Sequence, residues 1–398
     1  MEKQSKINVN ETIIAFMQPV INAGYAIYIV GGFVRDALLE LTSYDIDLAT
    51  NAPMDVLEMC YSDVKLNKQA IQYGALSFTK DNYNVQITRL RKDSDTSNGR
   101  YPESICYVDT IEEDFIRRDF TINALYCTID GTVIDPCNGV RDLQEGIIET
   151  VIDANTSFQQ DYLRILRALR FANRLAFRLS ESLTKALMEN LDGIKGLSSY
   201  RLHQEIENFG LCKGFNTYRQ LYQKVLSTYF GREINLKPLP LDASNEVFFY
   251  AYQFNEQSND YAKFVLNKFG YSAQFANQVN DVKPFITEDK EIDIIFKKRL
   301  AAKYYPIEIL VDLSKYYECD LVDEVDHLQR MDIVLTQKQI KCSTTDMKKI
   351  NIPPHDFKNT YQFLLEALYT NQVKNNKDAL LDYIKTNRGE YKKYLSRH

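Results

Sequence analysis

The stretch that decides the fold is GGFVRD at Gly31–Asp36, followed by DID at Asp45–Asp47. The glycine pair follows a β-branched and aromatic run at Ala26–Val30 and precedes a helical pattern at Val34–Glu40. It therefore predicts a turn between a strand and a helix, where the backbone can approach a phosphate group. Backbone N–H groups at the start of a helix favour anions, and the Arg35 guanidinium can bind a phosphate oxygen.

Two carboxylates follow at alternate positions of the predicted strand Tyr44–Ala49. Because strand side chains alternate, Asp45 and Asp47 face the same way, while Ile46 between them points into the core. Adjacent carboxylates repel each other unless a cation lies between them, and Mg²⁺ takes oxygen ligands together with substrate phosphates. The pair predicts two-metal phosphoryl transfer, in which one ion activates an attacking hydroxyl group and the other stabilises the leaving pyrophosphate.

The composition limits the function classes. A chain of 398 residues is long enough for two to four domains, and its 45% hydrophobic content is ordinary. No run approaches the roughly 18 apolar residues of a membrane span, and the N-terminal stretch is too polar for a secretory signal. Seven cysteines without a CxxC pair and four scattered histidines argue against a disulfide or zinc framework. We therefore expect a cytoplasmic protein without a membrane segment.

The charge is unevenly distributed. The net charge of −6 argues against a uniformly basic nucleic-acid-binding protein. However, residues 161–178 hold five arginines and one acid, and residues 373–398 hold seven basic residues and three acids. A solvated helix face is the simpler interpretation of the second stretch. Contact with nucleotide or RNA is the alternative.

The pattern of secondary structure changes along the chain. Strands and helices alternate up to about Asp142, with further strands predicted at Ala75–Thr79, Asn84–Arg91, Ala124–Ile129 and Val133–Ile134. Such mixing is typical of a small layered domain of strands and helices. Beyond about Ser157, apolar residues recur at spacings of three and four, which predicts helices in two or three sub-bundles.

The helical region contains a third candidate motif, QDYLRILRALRF. Spacing of i, i+3 predicts that Asp161 and Arg164 share one helical face, which Arg167 and Arg170 continue. A local salt bridge is the simplest interpretation. Alternatively, a carboxylate acceptor beside a guanidinium donor matches the amino donor and ring-nitrogen acceptor of cytosine and of adenine. Uracil and guanine present the reverse order, so the pair would reject them.

Several motifs occur together in one order between Tyr28 and Phe177. The chain resembles the class II tRNA nucleotidyltransferases, which are the bacterial and eukaryotic CCA-adding enzymes, and the related bacterial poly(A) polymerases. All belong to the polymerase-β-like nucleotidyltransferase superfamily. The stretches that carry the resemblance are Gly31–Asp36, Asp45–Asp47, Arg117–Leu125, Asp135–Leu143 and Asp161–Phe171, with a weaker match at Ser198–Ile206.

The resemblance implies an α+β fold: a polymerase-β-like nucleotidyltransferase head with a mixed sheet and helices, followed by all-α neck, body and tail domains. We place the head at 1–143, the nucleotide-selecting neck at 144–212, the body at 213–290 and the tRNA-binding tail at 291–398. By resemblance, Arg91–Pro102 corresponds to the flexible loop that helps the site switch from C to A. Its full length argues against an enzyme that adds only CC.

The resemblance also assigns roles to residues. Asp45 and Asp47 would be catalytic and hold the metal, Mg²⁺. Gly32 and Arg35 would contact the triphosphate, and Arg118, with Arg117 as the alternate, the incoming nucleotide. The protein template would be Asp161 and Arg164, with Arg167 and Arg170 along the nucleotide pocket.

Two glutamines depart from the family pattern. Gln160 stands where the template motif usually has glutamate, so it can form a hydrogen bond but no ion pair with an arginine. Gln86 aligns with a position that usually carries an acid. If that acid is a third metal ligand, metal binding should be weaker here.

The function implied by the resemblance is template-independent addition of CCA to the 3′ end of tRNA. CTP and ATP would be the nucleotide substrates, the tRNA acceptor arm would be the RNA partner, and no obligate protein partner is implied. One alternative is an A-adding enzyme or a poly(A) polymerase. Another, suggested by Gln86 and Gln160, is an RNA-binding relative with a decayed active site.

Overall fold

The structure, a computed structural model, describes residues 5–93, 105–287, 292–331 and 333–396. The chain divides into two compact units, Met1–Pro238 and Leu239–His398. Each unit has a hydrophobic core of its own. Within the described ranges, no helix combines the length and the apolar character that crossing a bilayer requires.

The first unit is built around a mixed sheet. Its strands, including those of two smaller pairs, are β1 (Ile27–Val30), β2 (Asp45–Thr50), β3 (Ala75–Lys80), β4 (Tyr83–Arg89), β5 (Arg91–Asp93), β6 (Ile105–Tyr107), β7 (Tyr126–Cys127), β8 (Val133–Ile134), β9 (Ile147–Ile148) and β10 (Arg178–Leu179). Among the described residues, the large sheet has the order β3-β4-β2-β1-β7-β8. Strands β2 and β4 run parallel, whereas the other neighbours in this sheet are antiparallel.

Helices surround this sheet and make up most of the remaining chain. Those of the first unit are α1 (Glu11–Asn22), α2 (Gly32–Leu38), α3 (Met54–Cys60), α4 (Ile111–Asp114), α5 (Gly139–Glu145), α6 (Ala154–Gln160), α7 (Leu163–Leu175), α8 (Glu181–Glu189), α9 (Ser199–Ile206) and α10 (Phe215–Phe230). Those of the second unit are α11 (Glu246–Gln253), α12 (Asn259–Lys268), α13 (Ala273–Val282), α14 (Ile294–Ala301), α15 (Ile307–Tyr317), α16 (Leu321–Arg330), α17 (Thr344–Lys349), α18 (Phe357–Tyr369), α19 (Lys377–Thr386) and α20 (Arg388–Leu395).

The two faces of strand β2 differ in burial. Ile46 and Leu48 are buried in the core against α1 and α3, whereas Asp45 and Asp47 face away from that core and are exposed. This is the alternation expected of a half-buried strand. Asn10 caps α1 by accepting a hydrogen bond from the Ile13 N–H at 3.0 Å. The core therefore fixes the direction in which the carboxylates point.

The predicted fold class is confirmed: a head with a mixed sheet precedes a predominantly helical remainder. The expectation of helices alone beyond Ser157 is wrong at one place. Strand β10 pairs in parallel with β9, because the chain leaves α7 through Ala176 in the left-handed conformation and turns back along β9. A two-residue strand carries too little periodicity to be predicted. Most of the loop predicted at Arg91–Pro102 lies outside the described residues.

The second unit contains a fully buried carboxylate. Asp312 on α15 accepts hydrogen bonds of 2.9 Å from the backbone N–H groups of Ser244 and Asn245, which directly precede α11. A buried charge is tolerated when hydrogen bonds replace its hydration. Asp312 therefore fixes the start of α11 against α15.

Candidate active site

A cavity of about 570 Å³ in the first unit collects every residue that the sequence singled out for nucleotide chemistry. We call it the arginine cavity. It lies among β2, the start of α2, the loop around Arg118 and helix α7. The predicted site residues that line it are Gly32, Arg35, Asp45, Asp47, Arg118, Asp161, Arg164, Arg167 and Arg170.

The glycine turn brings the chain close to both carboxylate and arginine. Gly31 has a φ of 69°, and a Cβ atom there would lie 3.9 Å from Asp47 Oδ2 and from Arg118 Nη1. Its N–H group donates to the Leu125 carbonyl at 3.1 Å, so the turn is tied to the segment that precedes β7. Glycine is suited to this position because its positive φ costs little.

Arg35 lies buried directly behind the turn. Its Nε donates to Asp36 Oδ1 at 2.8 Å, and its Nη1 donates to Asn123 Oδ1 at 2.7 Å. Burial lowers the pKa of Arg35, and Asp36 opposes that shift. The guanidinium is thus held rigidly at the wall of the cavity, with N–H groups left for an anion because Arg carries five of them.

The carboxylates of Asp45 and Asp47 lie on the exposed face of β2 and line the arginine cavity there. Asn84 Nδ2 donates to Asp45 Oδ1 at 3.0 Å. Asp47 reaches solvent, yet the surrounding protein desolvates it, and this raises the pKa of its carboxyl group. Arg118 opposes the shift and the charge of Asp45 adds to it. Desolvation and a neighbouring like charge both disfavour the ionised form of a carboxyl group.

The donor set beside Asp47 suits a divalent cation. Gln86 on β4 is directly opposite Asp47 in the parallel register, so its amide lies on the same face as the carboxylates. No cluster of three His, Cys, Asp or Glu side chains suited to a metal occurs in the part of the chain that the structure describes. An ion here would be held by two carboxylates, with oxygens from the Gln86 amide, water and phosphate completing its shell.

A buried carboxylate organises Arg117 and Arg118, which begin the RRD motif at residues 117–119. Asp114 is fully buried and accepts from Arg117 Nη2 at 2.7 Å, from Arg118 Nη2 at 3.0 Å and from the Tyr126 hydroxyl at 2.6 Å. The Arg91 N–H group, at the start of β5, donates to it at 3.0 Å. Burial alone would raise the pKa of Asp114, but the two arginines hold it below its usual value.

The prediction that Asp161 and Arg164 share one helical face is wrong. Asp161 is the residue that ends α6, with extended φ and ψ of −152° and 106°, and α7 begins only at Leu163. The Asp161 carboxylate instead accepts the Leu163 N–H at 3.0 Å, because a short polar side chain readily bonds to the following backbone. Its other oxygen accepts from Arg201 Nη2 at 3.0 Å.

Arg164 is nevertheless in the same cavity. It is buried, and its Nη1 donates to Ser157 Oγ at 2.8 Å and to Gln160 Oε1 at 3.3 Å. Its Nη2 donates to the Arg117 carbonyl at 2.7 Å, which links α7 to the RRD motif. Gln160 therefore still holds Arg164, through a hydrogen bond between neutral amide and guanidinium.

Helix α7 turns an arginine face towards the cavity. Arg167 Nε donates to Asp119 Oδ2 at 2.7 Å, and Arg170 Nε donates to Glu205 Oε2 at 2.6 Å. The guanidinium carbons of Arg170 and Arg35 lie 4.4 and 5.1 Å from the centre of the Phe171 ring. Ring and carboxylates together stabilise closely spaced positive charges.

Sequence reasoning missed the partners that hold these arginines, namely Asp114, Asp119, Asn123, Phe171 and Glu205. Asp119 and Asn123 belong to the stretch Arg117–Leu125, which reads RRDFTINAL, and Asn123 Nδ2 donates to Asp119 Oδ1 at 3.2 Å. Their spacing of four residues was the available signal. Nothing in the local pattern pairs Glu205 with Arg170, because that contact spans 35 residues.

Known proteins match the chain in two ways. Residues 27–149 match the family model described as "Poly A polymerase head domain". A CCA-adding enzyme of Lactobacillus helveticus is 34% identical over 219 residues, which are 55% of this chain and 53% of that protein. One of Leuconostoc mesenteroides is 36% identical over 195 residues, 48% of each. The chain thus spans about half the length of the curated relatives it matches.

Solved structures match over nearly the whole chain. The CCA-adding enzyme of Bacillus stearothermophilus in complex with CTP has a TM-score of 0.70 at 20% identity, covering 96% of this chain and 98% of that one. The Thermotoga maritima CCA-adding enzyme complexed with tRNA has a TM-score of 0.62 at 20% identity, covering 97% and 99%. At such identities the likeness establishes the fold. Residues 27–149 thus match the poly(A) polymerase head domain, and the chain has the fold of the solved CCA-adding enzymes.

Proposed function

We propose that this chain adds CCA to the 3′ end of tRNA from CTP and ATP and releases pyrophosphate. One observation carries the proposal: a single cavity contains both the carboxylate pair of β2 and the candidate base-reading pair Asp161 and Arg164. Protein groups placed beside the reacting phosphate make a nucleic-acid template unnecessary. The tRNA acceptor arm, CTP and ATP are the proposed partners, and the CTP, ATP and tRNA bound in solved relatives agree with this.

The nucleotidyltransferase family implies a divalent metal ion, and we propose Mg²⁺. Asp45 and Asp47 would hold it, because carboxylate oxygens are the ligands that this hard cation prefers. When bound, the metal would supply Lewis-acid stabilisation of the attacking oxygen and of the leaving pyrophosphate. Asp47 must be ionised for this, and a bound cation would favour its ionised form.

The arginines would bind and orient the nucleotide. We propose that Gly32, Arg35 and Arg118 contact the triphosphate, and that Arg167 and Arg170 neutralise charge along the pocket. Their rigid support by Asp114, Asp119 and Glu205 lowers the cost of ordering them when substrate binds. Preorganised charge of this kind stabilises the transition state of phosphoryl transfer.

Asp161 and Arg164 would select the base. Both Asp161 oxygens already accept one hydrogen bond, and each can accept another from the amino group of cytosine or adenine. Arg164 would donate to the neighbouring ring nitrogen. Uracil and guanine would place a carbonyl acceptor against the Asp161 carboxylate and an N–H donor against the Arg164 guanidinium. Both mismatches leave buried polar groups unpaired, which is strongly unfavourable.

The function is tested with a tRNA that ends at the discriminator base. Incubation with CTP and ATP, followed by sequencing of the 3′ ends, should give CCA and no longer tail. Addition of A without CTP would replace the proposal by the A-adding or poly(A) alternative. Absence of any addition by the pure protein would favour the RNA-binding alternative. The division into head, neck, body and tail, and the cytoplasmic location, stay predictions.

Replacing Asp161 by alanine should relax base selection more than it slows transfer. The variant loses an acceptor for the amino group of the base. The incorporation of UTP and GTP relative to that of CTP should therefore rise at least about tenfold over the wild-type ratio. Competition assays with all four nucleotides measure this ratio. Asp192→Ala, an exposed neck residue paired only with Lys195 in the described structure, is the matched control. Equal slowing with every nucleotide would contradict the template role.

Replacing Gln86 by glutamate should strengthen metal binding. A third carboxylate next to Asp47 adds Coulomb attraction for a divalent cation, which we expect to tighten Mn²⁺ or Mg²⁺ binding about tenfold. Isothermal calorimetry on the protein without substrate measures it. Gln18→Glu, on the exposed side of α1, adds the same charge elsewhere and should change nothing. Unchanged affinity in Gln86→Glu would show that position 86 does not face the ion.

A further inference from the structure

One arginine of the arginine cavity belongs neither to the proposed phosphate contacts nor to the base-reading pair. Arg174 lies in the last turn of α7, four residues after Arg170, so the two side chains share one face of the helix. Arg174 is exposed, whereas Arg35 and Arg164 are buried. It is therefore the last and most exposed member of the row of α7 arginines that begins at Arg164.

Arg174 differs from the other arginines of the cavity in its partners. Each of the other six donates to an acceptor within the protein, most often to a carboxylate such as that of Asp114 or Glu205. Among the residues that the structure describes, the Arg174 side chain forms no hydrogen bond and no ion pair. Its guanidinium group is therefore open to an anion from outside the chain.

The positive charge of Arg174 acts on Arg35 behind the glycine turn. Burial lowers the pKa of the Arg35 guanidinium, and the charges of Arg174 and Arg170 add to that shift. Within the described ranges, no carboxylate pairs with Arg174 to offset this repulsion between like charges. A phosphate group between Arg35 and Arg174 would offset it, because its oxygens can accept hydrogen bonds from both guanidinium groups.

The row of α7 arginines runs in the direction from base to phosphates. Arg164 begins the row in the proposed base-reading pair, and the ring of Phe171, further along, has its centre 5.1 Å from the guanidinium carbon of Arg35. Ten residues of α-helix, about 15 Å, separate Arg164 from Arg174, which is comparable with the length of an extended nucleoside triphosphate. A nucleotide whose base contacts Arg164 and whose phosphates contact Arg35 would therefore extend its terminal phosphate towards Arg174.

Resting on the proposed function, we infer that Arg174 binds the γ-phosphate of the incoming CTP or ATP and makes the site selective for triphosphates over diphosphates. Arginine suits this role because its planar guanidinium group can bind two oxygens of one phosphate group. Arg174 is at the opposite end of the row from the base-reading pair, so its effect should be the same for both nucleotides.

The γ-phosphate would keep this contact throughout the reaction. The RNA 3′ oxygen forms a bond to the α-phosphorus, its proton passes to solvent, and the bond from the α-phosphorus to the bridging oxygen breaks. The β- and γ-phosphates leave together as pyrophosphate, with the electron pair of the broken bond on the bridging oxygen. Arg174 therefore stabilises the bound substrate and the transition state alike, which lowers the KM for the nucleotide without changing kcat.

The inference is tested by the equilibrium binding of CTP, CDP and CMP to the whole chain in Mg²⁺ buffer without RNA. Arg174→Ala should weaken CTP binding about three- to fivefold, the size of one exposed ion pair, and leave CMP binding unchanged. The ratio of CTP to CDP affinity should fall by the same factor, and Arg174→Lys should restore part of it. Arg178→Ala, which removes an exposed arginine of β10 outside the cavity, is the control. Equal weakening of all three nucleotides would show a purely structural role at the end of α7 and contradict the inference.

Steady-state kinetics with a tRNA transcript that lacks CCA separate this inference from the proposed function. In Arg174→Ala the KM for CTP and that for ATP should rise by the same factor, kcat should stay unchanged, and inhibition by added pyrophosphate should weaken. A higher KM for RNA with an unchanged ratio of CTP to CDP affinity would assign Arg174 to the RNA backbone. That result would overturn the inference and leave CCA addition intact. A wild-type chain that prefers CTP to CDP through Arg174 but adds no nucleotide to the transcript would overturn the proposed function alone.

Discussion

Asp47→Asn is expected to lower the rate of nucleotide incorporation by about a thousandfold or more. The substitution keeps the shape of the side chain but removes one of the two negative charges that would hold the metal. Loss of a metal-centred stabilisation of several kcal/mol corresponds to a rate loss of this size. Single-turnover assays with a tRNA lacking CCA measure it, and Asp45→Asn should behave alike.

Asp47→Asn should be at least as stable as the wild-type protein. Burial and the charge of Asp45 raise the pKa of Asp47 in the folded protein, so its ionised form disfavours folding in the absence of metal. That cost is present above the folded pKa and disappears as the pH falls through it. Asp47→Asn should therefore melt at or above the wild-type temperature at neutral pH without metal. Asp63→Asn, at an exposed ion pair with Lys80, controls for loss of a surface carboxylate. Near-normal rates in Asp47→Asn would contradict the proposed chemistry.

Asp114→Ala is expected to lower both stability and nucleotide binding. Removing this carboxylate leaves Arg117, Arg118 and the Tyr126 hydroxyl without their shared acceptor in the interior. Breaking a buried ion pair from one side typically costs about 3–5 kcal/mol of unfolding free energy. Because Arg118 also lines the arginine cavity, the KM for CTP and ATP should rise about tenfold even at temperatures where the variant is folded.

Asp312→Ala distinguishes the two effects of Asp114→Ala. Asp312 is also fully buried and accepts several hydrogen bonds, but it supports the start of α11 in the second unit. We expect Asp312→Ala to be destabilised to a degree similar to Asp114→Ala and to keep the wild-type KM for nucleotides. Urea unfolding curves give the free energy of unfolding of both variants. Initial rates, measured where both variants are folded to the same fraction, give their KM for nucleotides. A similar rise in KM in both would show that Asp114 acts only through stability.

Strand alternation was enough to predict the carboxylate pair. Ile46 had to be buried, and this alone fixed the direction of Asp45 and Asp47. The helical periodicity of α7 likewise predicted the face that carries Arg167 and Arg170. In both cases the information lies within a few residues, where backbone geometry relates sequence spacing to direction.

The environment of Asp161 was beyond such local reasoning. An i, i+3 spacing implies a shared face only if the helix is continuous, and here α6 ends and α7 begins between the two residues. Its partner Arg201 is 40 residues away. Asp114 was missed for a related reason. The sequence shows that it precedes two arginines, but only the fold shows that all of them turn inward to one buried point.

The hydrogen bond from Arg164 to the Arg117 carbonyl and the ion pair between Arg167 and Asp119 have a consequence for recombining this chain with relatives. The sheet-based segment matched by the family model ends at residue 149, yet five of the fifteen residues that line the arginine cavity come from α7 beyond it. A chimaera joined near residue 150 would take Asp45 and Asp47 from one parent and Asp161 and Arg164 from another, with mismatched contacts between them. With a junction after Pro238, all residues that line the cavity come from the same parent.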